Sequence, residues 1–178
     1  MTAFDQAFAF VLGHEGGFDM TAADPGNWTG GAVGKGTLKG TNWGISAAAF
    51  PGMDIEHLTQ DDAKVIYKKQ YWDAVRGDEL HPPLALLCFD AAVNNGVGRA
   101  ARWLQIAAGT KPDGLIGPAT MAAIAAMTAH AGAAGLCAEF QAQRLSFMAG
   151  LSTWRTFGLG WARRLCQLPY QSLMMTEA

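Results

Sequence analysis

Between Gly16 and Gly44 the chain places nine glycines, Pro25 and two tryptophans, Trp28 and Trp43, and no apolar residue recurs there at helical spacing. Each glycine costs a helix roughly 1 kcal/mol relative to alanine, so a stretch this rich in glycine is a long structured loop or a small ribbon. Loops of that length are uncommon in compact domains unless they are functional or disordered, and two large aromatic side chains argue against disorder. The remainder of the chain must therefore supply a framework that holds the segment in place.

That framework reads as helical. Thr2 with Asp5 makes a capping box ahead of Phe4, Phe8, Val11 and Leu12 on one face, and Thr59 with Asp62 repeats the signature ahead of Ala63, Ile66, Tyr67 and Tyr71, to about Trp72. Pro82 and Pro83 suit a helix start before Leu84, Leu87, Cys88 and Ala91, and a short helix carrying Trp103, Leu104 and Ala107 stops at Gly109. Three further helices are expected over 119–127, 133–148 and 154–168, with Pro118 in a first turn and Gly150 near a stop. Alanine occurs 32 times against six valines and six isoleucines, which favours helix over strand throughout. The expectation is an all-α fold of about seven helices with one long glycine-rich loop.

Charge and cysteine usage narrow the function. A net charge of −2 and a pI near 6.0 offer no broad cationic surface, so no nucleic-acid partner is expected. Cys88, Cys137 and Cys166 match no metal-ligand spacing and read as buried reduced thiols; His14, His57, His81 and His130 offer no short-range ligand pair, so neither metal nor cofactor is expected. No apolar run reaches the roughly 18 residues of a membrane span, and the first thirteen residues lack the features of a signal peptide. The reading is synthesis in the cytoplasm without membrane insertion.

The sharpest local feature is His14-Glu15-Gly16-Gly17-Phe18, an acid at the end of an apolar helix beside two residues without side chains. A partly desolvated carboxyl has a raised pKa and can donate a proton near neutrality, as a general acid must. The plainer reading is a surface glutamate at a helix end. Nine positions on, Asp24-Pro25-Gly26 makes a tight turn whose carboxylate either folds back toward the first acid or is an ordinary solvated turn residue. Glycoside hydrolysis uses two such carboxylates, about 5 Å apart for a nucleophile and roughly 6.5 to 9.5 Å apart for activation of water.

Taken with Gly40-Thr41-Asn42-Trp43-Gly44-Ile45, Tyr71-Trp72-Asp73, Phe89-Asp90-Ala91-Ala92-Val93-Asn94-Asn95-Gly96 and Asp113-Gly114-Leu115-Ile116-Gly117-Pro118-Ala119-Thr120, the chain resembles the glycoside hydrolase family 108 N-acetylmuramidases over nearly its whole length. These occur among phage endolysins and secretion-associated lysozymes. The resemblance implies a lysozyme-like helical fold and cleavage of the β-1,4 bond between N-acetylmuramic acid and N-acetylglucosamine, with Glu15 as proton donor and Asp24 and Thr41 placing water. An insert from Asn27 to Lys39 departs from the family pattern and makes Thr29 a rival to Thr41. His14, Trp28, Trp43, Tyr71, Asn94 and Asn95 are the expected substrate contacts, with core packing the standing alternative for the aromatic residues. Lys35 and Lys39 of the insert are candidates for pairing with peptide-stem carboxylates. Asp90, inside an apolar helix, is expected to make a structural hydrogen bond.

Residues 1–94 read as the hydrolase region and 95–178 as a helical region resembling peptidoglycan-binding modules, where the Asp113-Gly114 turn holds a helix-loop-helix and Arg163 and Arg164 are solvated. The expected partner is the peptidoglycan glycan strand, met by a monomer in the periplasm or outside the cell after export through a holin or a secretion apparatus. Two other readings stay open: a catalytically silent wall-binding or secretion-accessory protein, and a lytic transglycosylase.

Overall fold

The computed structural model describes residues 1–13 and 17–175. These hold six α-helices, α1 (Ala3–Leu12), α2 (Gln60–Tyr67), α3 (Pro82–Asn95), α4 (Val97–Ala107), α5 (Pro118–Ala149) and α6 (Trp154–Leu173), and one two-stranded antiparallel ribbon, β1 (Thr41–Asn42) with β2 (Ile45–Ser46). The fold is all-α and lysozyme-like, as the sequence implies. The chain forms two compact units, residues 8–68 and residues 1–7 with 69–178.

Local chemistry sets the helix ends. Thr2 and Asp5 exchange backbone and side-chain bonds of 2.8 and 3.1 Å, and Thr59 with Asp62 closes the same box on α2. The expected continuation of α2 to Trp72 is a π-helical turn, Lys68–Trp72. The two helices expected on either side of residue 130 are joined as α5, broken at Gly132, whose φ of 75° and ψ of 160° only glycine adopts without strain.

In the larger unit α3 is the axis. Residues 84–92 are buried without interruption, Asp90 among them, so this helix is buried on every face rather than amphipathic and is enclosed by α4, α5 and α6. Phe4, Trp72 and Phe89 pack with centroids 5.4 to 5.9 Å apart. Trp72 also donates to Asp78, 2.8 Å away, and a Cβ at Gly77 would fall 2.4 Å from the Trp72 ring, so only glycine fits there. In the smaller unit Phe8 meets Tyr67 edge-on at 5.5 Å, and Val11, Ile45, Ile55 and Leu58 are buried as well.

Two expectations need correction. By length and composition α5 is apolar enough to cross a membrane, because alanines fill it in place of charged residues, and little of that stretch is buried. Of the three cysteines, which are all free, only Cys88 is fully buried; Cys137 is half-buried and Cys166 exposed, the last lying on the outer face of α6. Desolvation pushes the Cys88 thiol well up and that of Cys137 to about 11, so both stay protonated near neutrality.

Candidate active site

Glu15 and His14 lie outside the described residues. From Gly17 onward the glycine-rich segment is an ordered ribbon in the smaller unit. Its base is a pair of 2.8 Å backbone bonds between Asp19 and Thr41, and the insert closes on itself through bonds from Thr29 to Thr37, Gly30 to Lys35 and Lys39 to Asn27. At its tip Trp43 and Gly44 take φ of 52° and 73°, the left-handed pair a two-residue hairpin turn requires, which fixes the register Thr41↔Ser46.

Asn27, fully buried, organises the segment, and nothing in the sequence singled it out. Its amide nitrogen donates to the Asp19 carboxylate at 2.9 Å and to the Thr21 carbonyl at 3.1 Å. Both partners only accept, so the amide orientation is determined and its oxygen faces Thr41. Thr41 therefore donates its hydroxyl proton to Asn27, at 2.7 Å, and its oxygen presents lone pairs alone to anything else. Asp19 is held below the usual carboxylate range by the Thr21 hydroxyl first and the Asn27 amide second.

Asp24 is exposed and begins the short helical turn Pro25–Asn27, where one carboxylate oxygen accepts the Gly26 N–H at 2.7 Å. Among the described residues its second oxygen makes no hydrogen bond, which leaves it available to a water or a sugar hydroxyl. The rival hydroxyl, Thr29, accepts the Thr37 N–H at 2.9 Å and serves the closure of the insert. Trp28 and Trp43 are half-buried, each with its indole N–H committed to a carbonyl: Trp28 to Ala22 at 2.9 Å and Trp43 to Leu58 at 3.0 Å. Lys39 donates to the carbonyls of Pro51 and Met53, whereas Lys35 is exposed.

Asp24, Trp28, Thr41 and Trp43 thus share one ribbon. Tyr71, Asn94 and Asn95 belong to the larger unit. Tyr71 is half-buried in the π-helical turn. Asn94 donates to the Asp90 carbonyl at 2.8 Å, and Asn95 accepts from Arg144 at 2.9 Å; both line a cavity of about 300 Å³.

Asp90 is fully buried, with Arg144 donating to one oxygen at 2.7 Å and Arg164 to the other at 2.5 and 2.9 Å. The expected structural hydrogen bond is thus an ion pair with two guanidinium groups. Arg163 is exposed, but the expectation of a solvated Arg164 is overturned, since α6 turns that side chain inward to 16% exposure against the α3 carboxylate. Asp113 and Gly114 do hold a helix-loop-helix: buried Gln105 donates to Asp113 at 2.7 Å, Leu115 at 3.0 Å and Thr120 at 3.2 Å, and accepts from Gly114 at 2.8 Å. Among the described residues no group of three or more His, Cys, Asp or Glu side chains gathers as a metal site would need.

Residues 8–96 match the glycosyl hydrolase 108 family and residues 99–166 match a predicted peptidoglycan domain. The structure of SagA from Brucella abortus superposes with a TM-score of 0.77 at 32% sequence identity, over 96% of this chain and 94% of that one. No functionally curated protein matches. The chain belongs to the glycosyl hydrolase 108 family and is a glycoside hydrolase acting on peptidoglycan.

Proposed function

We propose that this chain hydrolyses the β-1,4 bond between N-acetylmuramic acid and N-acetylglucosamine, with Glu15 protonating the leaving oxygen and Asp24 and Thr41 placing the water that attacks the sugar carbon. The observation that carries the reading is the committed hydroxyl proton of Thr41. A group that only accepts fixes a water by accepting a hydrogen bond from one of its O–H groups, and Asp24 accepts from the other through its unengaged oxygen. Both groups then aim the water's lone pair, and the proton released on attack passes to the carboxylate. Residues 1–94 act as the hydrolase region and 95–178 hold the wall polymer. The site of action is the cell wall, reached by a monomer through a holin or secretion apparatus.

The test is mass spectrometry of the muropeptides released from purified peptidoglycan by the unaltered chain and by Glu15→Gln. Reducing-end muramic acid from the first and none from the second is the expected outcome. Anhydro ends would mean transglycosylation without water, and release by Glu15→Gln at the unaltered rate would remove Glu15 from the mechanism.

A further inference from the structure

The cavity beside Asn94 and Asn95 has a charge composition that the wall-binding reading does not by itself explain. Arg99, Arg144 and Arg164 all line it, and its described lining contains no acidic side chain. The carboxylate that Arg144 and Arg164 both bind, Asp90, lies behind the wall and is fully buried. Arg144 is 1% exposed, yet shares that single carboxylate with a second guanidinium. Burial, and secondarily the charge of Arg164 opposing the pull of Asp90, depress its pKa. Arg99 adds a third positive charge at the rim, where it lies 4.7 Å from the Phe147 ring centroid and donates to the Asn95 carbonyl at 3.0 Å.

An aromatic row continues from this rim along α6. Trp161 lines the cavity, Phe157 lies 5.9 Å from it and Trp154 6.1 Å, and Phe157 is 54% exposed. A cationic recess adjoining half-exposed rings is suited to a ligand with a carboxylate at one end and a sugar at the other. Guanidinium forks pair with carboxylates in two-point geometry, and the apolar face of a pyranose packs on aromatic rings.

We infer that this cavity is a binding site for muropeptide, with a stem-peptide carboxylate seated on Arg99 at its rim, in the field of the arginines behind it, and the attached sugar on Phe157 and Trp161. The inference rests on peptidoglycan being the substrate, and it gives the chain a second point of attachment, specific for glycan that carries peptides with free carboxylates.

The experiment is calorimetric titration of the full chain, unaltered and as Arg99→Gln, with a disaccharide-tetrapeptide and with the same compound amidated at its carboxylates. Arg99 is exposed, so its replacement leaves the buried ion pairs intact. Amidation and Arg99→Gln each weaken binding about tenfold, as expected for one charge-assisted bond, and the two losses are not additive because they remove the same contact. The Trp161 indole signal, followed by NMR, shifts on addition of the free-carboxylate compound and not of the amidated one. Equal affinity for both compounds, or additive losses, with peptidoglycan still cleaved, overturns the carboxylate site and leaves the hydrolase reading standing. Absence of binding together with absence of cleavage overturns both.

Discussion

Asn27 is an uncharged side chain that determines what a hydroxyl fourteen residues away can do. Because its nitrogen is held by two acceptors, Thr41 can offer only lone pairs to a water. Thr41→Val should therefore lower turnover on purified peptidoglycan roughly 100-fold, the scale of a misplaced reactant, while Thr41→Ser retains most of it; equal rates in the two variants would remove the hydroxyl from the mechanism. Asp19 gives the same network a pH dependence. Its folded pKa is lowered by Thr21 and Asn27, so its stabilisation is complete above the ordinary carboxylate value of about 3.9 and is lost as pH falls through the lower folded value. Trp28 fluorescence should report a transition below about pH 4 that Asp19→Asn abolishes. Sequence patterns picked out Asp24 and Thr41 because turn chemistry and a local motif mark them. They passed over Asn27 and Asp19 because burial and cross-ribbon pairing leave no local signature.

At the scale of elements, Gln105 bridges α4 to the start of α5 with four bonds from one buried amide. Gln105→Leu leaves the Gly114 N–H and the Thr120 hydroxyl without that partner and should cost about 3 kcal/mol, read as a lower urea midpoint at unchanged slope. The helix starts were legible because capping boxes and first-turn prolines are local chemistry. Helix ends were less so. Pro169 lacks the N–H that continues a helix, yet α6 runs on to Leu173, with Ser172 donating its hydroxyl to the Pro169 carbonyl at 2.7 Å. The π-helical turn at Lys68–Trp72 has the composition of an ordinary helix, so only packing distinguishes it.

Over the whole molecule the families matched divide near residues 96–99, whereas the compact units divide near residues 7 and 68. The larger unit thus joins α3, from the matched hydrolase stretch, to the helices that follow it, and Asp90 is the joint. Asp90→Asn removes the charge that both guanidinium groups share and should cost about 3 to 5 kcal/mol in thermal unfolding. Asp54→Asn weakens only the exposed pair with His57 and should leave thermal unfolding nearly unchanged. The sequence showed that Asp90 needs a partner, since an acid in an apolar run must find one. It did not show which, because Arg144 and Arg164 lie 54 and 74 residues further on.

A helix exposed along much of its length ordinarily opens early, and much of α6 is exposed. Arg164, near its middle, nevertheless grips a carboxylate at the centre of α3, so lifting the helix away strips half the neutralising charge from a buried acid. Partial opening is therefore nearly as unfavourable as complete unfolding. The amides around Leu165 should exchange with solvent deuterium as slowly as those of the enclosed helix, making α6 part of the same cooperative unit as the core.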